Sequence, residues 1–498
     1  KTARLCSRWS SPQPPLAPDA PLARAAQIHL SAPLLDDLDR EGAPDSFGDL
    51  LQRALQSPAT LEAIRAQVRQ RYQLIPGRCW DEGWGVCWFS FGLNQTDFRP
   101  GAVQVQLIPD EGGFRVNLRM DGLRSDLEAY GRAAQIYTYK LTGRFTMDLA
   151  ITGRLRLSYE GDAPQLSLRD LETRLGDISS EIDGDDPLVE LVAEILEAFV
   201  DNYGQTINNY VSPKLADALQ RGASELFAGL TLPIPASVDT APGVMTRLSD
   251  ARLRPAGMTL TLESSVAARI PRFSAPAATL APEQGARVVV QEAALNQHLA
   301  ALWRGGQLEE ALQSAVGQIQ ISGAPRGLRF DLKLHHAPAV ELTRGANDRV
   351  EARLHVLAAT LTLRDPVSLG AGGELPRGAT FSVGAQLGLR LELDDEGHLR
   401  LRGATMQRLA LVPDAPLPAL RLDADALSTL LTPLLRAGLA EALERHPVTL
   451  PFPAWEVDAM ARRLGLPAGA LVVTPTALAL EPGQIVIDVD LTHRSPRP

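Results

Sequence analysis

One order of elements occurs twice along this chain, and it constrains the fold more than any single motif. In each half a stretch with hydrophobic period two gives way to a long apolar stretch with period 3.6, which ends on a Pro-punctuated return. Thr231-Leu232-Pro233-Ile234-Pro235-Ala236 recurs as Thr449-Leu450-Pro451-Phe452-Pro453-Ala454. Beyond it, Leu253-Arg254-Pro255-Ala256-Gly257 leads into MTLTLES, and Leu480-Glu481-Pro482-Gly483 leads into QIVIDVDL. The repeat is far too long for a solenoid and reads as an internal duplication.

The first strand-like region spans about 102–175. VQVQLI (103–108), FRVNLRM (114–120), YKLTGRFTMDLAITGRLRLSY (139–159) and QLSLRDL (165–171) alternate apolar with polar residues. Asp110-Glu111-Gly112-Gly113 and Glu160-Gly161-Asp162 mark turns, so antiparallel strands with one dry and one wet face are expected. Pro187 then opens a helix after Asp183, Asp185 and Asp186, carboxylates that offset the helix dipole. In the second half a short helix (291–303) precedes strands at 329–336, 349–365, 381–394 and 398–412, and a Leu-rich helix at 425–446 follows. Near the start, Leu34, Leu35, Leu38, Leu50, Leu51 and Leu55 within 28–55 suit amphipathic helices, with Ser46 as a cap.

Charge narrows the function. The net charge is −10, and residues 1–250 hold all of it, with 24 basic against 34 acidic side chains. A nucleic-acid binder needs a basic face, and the balance weighs equally against an anionic lipid surface as the main target. Only Lys1, Lys140, Lys214 and Lys333 are lysine, a bias expected of a GC-rich bacterial genome. No apolar run reaches the ~18 residues of a membrane-spanning helix. G-x-S-x-G, Walker, dinucleotide and H-E-x-x-H motifs are all missing from the sequence, so no enzyme, cofactor or metal is expected. The acidic run Asp177, Glu181, Asp183, Asp185, Asp186 lacks EF-hand spacing and reads as a solvated helix cap.

This order of elements resembles the family of bactericidal/permeability-increasing protein, lipopolysaccharide-binding protein and cholesteryl ester transfer protein, the tubular lipid-binding (TULIP) superfamily. IHLSAPLLDDLDREG (28–42) is similar to its opening strand and helix, and 98–167 to its strand layout. Residues 235–266 resemble the linker that leaves the first barrel and enters a central sheet, and 286–312 the opening of the second barrel. The resemblance implies an α+β fold of two tandem TULIP-like domains. Each is a highly curved antiparallel sheet wrapped around long helices, and a central sheet joins the two into an elongated shape. It implies a leader at 1–26, an N-terminal lipid-binding barrel at 27–235, a linker with central-sheet strands at 236–285 and a C-terminal barrel at 286–498. The chain departs from the family in its acidic first half, where lipopolysaccharide binders carry a basic tip. It also lacks cysteines in 145–215 for the family's usual disulfide.

The function expected is lipid binding and transfer, with apolar tails shielded in elongated pockets; the alternative is a non-catalytic scaffold with solidly packed barrels. The partners are phospholipid, sterol or another apolar lipid, and transiently a membrane surface. The location is periplasmic, outer-membrane-associated or secreted. Candidate lining residues are Leu188, Leu191, Ile195, Phe199, Leu431, Leu434, Leu435 and Leu439, which are otherwise packed core. Trp80, Trp84 and Trp88 either contact the bilayer or brace a hairpin. Cys79 and Cys87 bracket CWDEGWGVC and either form a disulfide or remain two reduced thiols.

Overall fold

The computed structural model describes residues 21–36, 46–56, 72–83, 86–99, 101–133, 137–160, 163–176, 179–183, 245–265, 282–306, 308–310, 329–345, 350–368, 374–393, 399–415, 448–450 and 471–493, with a few single positions between them. They are mostly antiparallel strand with few helices. The chain opens with β1 (Leu22–Ser31), α1 (Ala32–Leu35) and α2 (Phe47–Gln56). Then come β2 (Tyr72–Gly83), β3 (Val86–Arg99), β4 (Ala102–Asp110), β5 (Gly113–Ala133), β6 (Tyr137–Glu160), β7 (Ala163–Leu175) and β8 (Ser179–Asp183). A hairpin of β9 (Met245–Arg254) and β10 (Gly257–Ser265) leads to β11 (Ala286–Gln291) and α3 (Glu292–Arg304). The second series is β12 (Phe330–Leu334), β13 (Ala339–Arg344), β14 (Val350–Leu363), the small pair β15 (Val367–Ser368) and β16 (Glu374–Leu375), β17 (Thr380–Leu393), β18 (Leu399–Pro413) and β19 (Val448–Leu450). The last hairpin is β20 (Leu471–Glu481) and β21 (Gln484–His493).

The alternating stretches are strands where period two placed them, and α3 lies on the expected short helix. Residues 28–55 differ in part from the helices that their period suggests. Leu22–Ser31 is a strand followed by a short helix, the order that the family resemblance implies for 28–42, and it begins inside the expected leader of 1–26. Ala25, Ala26 and Ile28 through Ser31 are all buried, because this strand is covered on both faces. Such a strand loses its polar alternation, and its apolar run imitates a helix. Leu22 and Ala25 pack on Ala293 and Ala294 of α3, which anchors a segment that composition makes look like a linker. Ser46 does cap α2: its Oγ accepts the Asp49 N–H at 3.2 Å and donates to Asp49 Oδ2 at 2.8 Å.

A six-stranded sheet in the order β20-β21-β11-β1-β10-β9 collects strands from both ends of the chain. From either edge it reads hairpin, strand, strand, hairpin. Each inner strand runs into a helix, β1 into α1 and β11 into α3. The two Pro-containing turns noted in the sequence fall at matching places. Ala32 N–H donates to Ala256 O at 3.1 Å, and Glu292 N–H donates to Gly483 O at 2.9 Å.

The other two large sheets, of seven and six strands, share one arrangement around their long central strands. One runs β2-β3-β5-β6-β7, with β4 on β5 and β8 on β6; the other runs β12-β14-β17-β18-β19, with β13 on β14. In both, one edge of a long central strand is shared by two others. Residues 113–121 of β5 pair with β4 and 124–133 with β3; 350–355 of β14 pair with β13 and 359–363 with β12. Both long strands carry a bulge near the changeover. Asp121 and Gly122 lie opposite Asp148, and Leu357 and Ala358 lie opposite Gly384. Gly122 has φ +69 and its N–H donates to Asp148 Oδ1 at 2.9 Å. A bulge bends a strand and raises its twist, which curves the sheet.

Two buried histidines make stability depend on pH. His29 Nδ1 bonds Thr259 Oγ1 at 2.9 Å, while its Nε2 and that of His298 are buried without a hydrogen-bond partner among the described residues. Burial lowers the pKa of both, and Arg287, opposite His29 in the register, lowers that of His29 further. The unfolded chain therefore takes up protons near pH 6.5 that the folded chain refuses, so stability falls as pH drops through that region. Between pH 7.5 and 5.5 the thermal midpoint is expected to fall. His298→Leu is expected to flatten that fall, measured by calorimetry at matched ionic strength.

Candidate apolar binding faces

Each curved sheet has one continuous dry face. On the first, Phe114, Val116, Leu118 and Met120 of β5 are buried, and after the bulge the phase shifts by one to Leu123 and Leu127. Across the register Leu155, Ile151, Leu149 and Met147 of β6 face Phe114, Leu118, Met120 and Leu123, so the apolar row runs on past the bend. Val103, Val105 and Leu107 extend it onto β4. The second sheet repeats this with smaller residues. Ala352, Leu354, Val356, Ala359 and Leu361 face Leu389, Leu387, Ala385, Val383 and Phe381. Burying each of the larger side chains here, Val, Leu, Ile, Met or Phe, contributes ~1.5–3 kcal/mol, so these faces need a cover.

Helices supply part of that cover and also close the sheet edges. Among the described residues β4 and β13 each pair with one strand only, which leaves one edge to be satisfied. On β4, Val105 N–H donates to Gln52 Oε1 at 3.0 Å and Gln56 Nε2 donates to Val103 O at 2.7 Å. Leu107 N–H donates to an Asp36 carboxylate oxygen. On β13, Val340 donates to Asn296 Oδ1 at 2.7 Å and accepts from Asn296 Nδ2 at 2.9 Å, and Leu342 N–H donates to Glu292 Oε2 at 2.8 Å. β12 is treated alike: Leu332 N–H donates to Gln313 Oε1 at 2.6 Å and Gln313 Nε2 donates to Phe330 O at 2.7 Å. An open edge is a template for another chain, and here side-chain amides and carboxylates occupy it. At these edges side chains, most of them on helices, stand where a further strand would pair.

The polar groups within this framework pair locally. His355 Nε2 lies 2.8 Å from Glu341 Oε2, and its ring stacks on Phe273 at 5.0 Å. The hydrogen bond from His355 outweighs burial and, with Arg353 nearby, lowers the Glu341 pKa. Among the described residues no group of three or more His, Cys, Asp or Glu is placed to hold a metal ion. Among them, too, no helix is long and apolar enough to cross a membrane.

The lining residues expected from sequence, Leu188, Leu191, Ile195, Phe199, Leu431, Leu434, Leu435 and Leu439, lie outside the described residues, as does Trp84. Trp80 lies in β2 and Trp88 in β3, the two strands of one hairpin. Its register sets Cys79 opposite Ser90 and Cys87 opposite Glu82. The two cysteines are thus offset by three places, ~10 Å along the strand, and a bridge requires a shift in register. The dry-face residues of β4, β5, β6, β14 and β17 were not singled out as a site from sequence. Their signal was the alternation itself, which marks the buried face without saying what covers it.

No protein-family model and no curated protein matches the chain. Among solved structures it is similar to lipopolysaccharide binding protein, at 11% identity and TM-score 0.42, covering 97% of this chain and 100% of that one. It is also similar to P47 of Clostridium botulinum E1, at 9% identity and TM-score 0.30, with 95% and 100% covered. For P47 of Clostridium botulinum A2 the identity is 11% and the TM-score 0.30, with 94% and 97% covered.

Proposed function

We propose that this chain is a lipid carrier of the tubular lipid-binding type, with two tandem barrels joined at a shared central sheet, working in a bacterial envelope and catalysing nothing. The observation that carries this reading is the pair of bent sheets, each with an unbroken apolar face and edges finished by helix side chains. Such a sheet is suited to enclosing something apolar. The sequence supplies it in 187–211 and 425–446, stretches with a broad apolar face at helical spacing. A slot between helix and sheet would shelter an acyl chain from water. Exposing a sixteen-carbon tail costs about 13 kcal/mol at ~0.8 kcal/mol per methylene, and a dry slot removes most of that barrier without catalytic chemistry.

The test is organic extraction and native mass spectrometry of the purified chain, followed by uptake of a fluorescent phospholipid from vesicles. Co-purifying lipid and saturable uptake are expected. Leu191→Trp and Leu435→Trp, which narrow the expected slots, should each lower the amount bound by a half or more. A protein that emerges lipid-free and takes up none is instead the solidly packed scaffold.

A further inference from the structure

We propose that the outer face of the first sheet is a docking site for an anionic lipid bilayer, built on a row of arginines at the end nearest the central sheet. In the register Arg115 stands directly opposite Arg154, and Arg154 directly opposite Arg169, so three strands carry one line of guanidinium groups. Arg156, two places along β6 and on the same face, stands opposite Ser167. All four are exposed.

Directly opposed side chains start from Cβ atoms ~5 Å apart, and like charges at that spacing destabilise a sheet. Elsewhere this face avoids the cost by alternating signs. Arg144 stands opposite both Asp126 and Glu181, at 3.2 and 3.3 Å, and Lys140 meets Glu128 at 3.0 Å. The row breaks that rule. Arg115 has Asp110 at 3.6 Å, and Glu172 is taken by Arg174 at 3.7 Å. Among the described residues no carboxylate forms an ion pair with Arg154, Arg156 or Arg169.

Arg154, Arg156 and Arg169, with no such partner among the described residues and set side by side by the sheet, match a surface of phosphates, each able to take a forked pair of N–H bonds. The chain as a whole carries −10, which repels a long polyanion. A fluid bilayer can instead gather its anionic headgroups under one patch. The edge of the sheet supports the same partner. Beside Arg169 a bulge sets Asp170, at φ +53, and Leu171 against Gly153. Leu171 leans toward the dry-face side over Gly153, beside Leu168, yet is 40% exposed. Charge outside and leucine inside thus meet along β7, the last strand in the order of this sheet. Given the carrier reading proposed above, this is a lip over which lipid could pass from bilayer to sheet. The place is distinct from the tryptophan hairpin. Gly112 N–H meets Leu253 O of the central sheet at 3.5 Å, whereas Phe89 pairs with Ala133 at the other end of β5, about 60 Å along the strand from Arg115.

The test is flotation of the full chain with phosphatidylcholine vesicles, with and without phosphatidylglycerol, at low and high salt. Binding is expected only with phosphatidylglycerol and is expected to vanish as salt screens it. Arg154→Glu/Arg169→Glu should lower the partition coefficient at least about tenfold, Arg99→Glu little, with unchanged circular dichroism and melting for both. Equal flotation of wild type and double variant would overturn the proposal, as would loss confined to Trp80→Ser/Trp88→Ser. Phospholipid uptake from detergent micelles separates the two readings. Uptake without flotation rejects the docking site and keeps the carrier; flotation without uptake does the reverse.

Discussion

Replacing Asn296 by leucine is expected to cost about 2–6 kcal/mol, because one amide satisfies both the N–H and the carbonyl of Val340 and each orphaned buried group costs ~1–3 kcal/mol. Val340 is fully buried and Asn296 nearly so, so water cannot readily replace the lost partner. Leucine keeps the volume, which isolates the polar term. Glu292→Gln should cost less than Glu292→Ala. Its amide retains an oxygen for one of the two N–H groups, of Phe273 and Leu342, that the carboxylate accepts at 3.0 and 2.8 Å. Both residues serve the same strand edge, so the double variant should fall short of the sum. Urea denaturation of each variant and of the pair measures this. If Asn296→Leu loses under 1 kcal/mol, the edge is not held as described. Light scattering near the midpoint adds a second readout, because an uncovered β13 should recruit other chains.

Gly257→Val is expected to destabilise the chain by about 4 kcal/mol or more, enough to deplete folded protein at 37 °C. Gly257 sits at φ +139, and any Cβ there would run into the carbonyl oxygen of Leu30 in the neighbouring β1. The backbone cannot yield, since Ser31 is paired with Gly257 and Ala32 N–H is bonded to Ala256 O. Gly112→Ala provides the contrast. That glycine is at φ +73 with nothing within 4 Å of a Cβ, so only backbone strain of about 1–2 kcal/mol is expected. Thermal melts of the two variants should differ by several degrees, with Gly257→Val far lower.

Most strands were legible because their sheets are wet on one side. In β4, Val103, Val105 and Leu107 alternate with Gln104 and Gln106, and period two is plain. β1 was not legible from period for the opposite reason, and only the family resemblance marked a strand there: with both faces covered, its Ile28 and Leu30 merge with Leu34 and Leu35 of α1 into what reads as a helical stripe. The hairpin of β2 and β3 was legible from its aromatic and cysteine cluster and not from alternation, since its register shifts repeatedly. The two matching Pro turns were readable as a repeat. That they meet in one sheet followed from the family resemblance, not from their spacing. The arginine row was hidden altogether, because Arg115, Arg154 and Arg169 become neighbours only through the register.

The central sheet also dictates when this chain can become a folded object. β1 is made before its partners β10 and β11, which lie more than two hundred residues downstream, and β11 in turn waits for β21, nearly two hundred residues further on. On the ribosome β1 must stay unpaired while more than two hundred residues are added, and any message cut short before β21 yields a product with an open, oily ladder. Assembly should therefore be slow and chaperone-dependent.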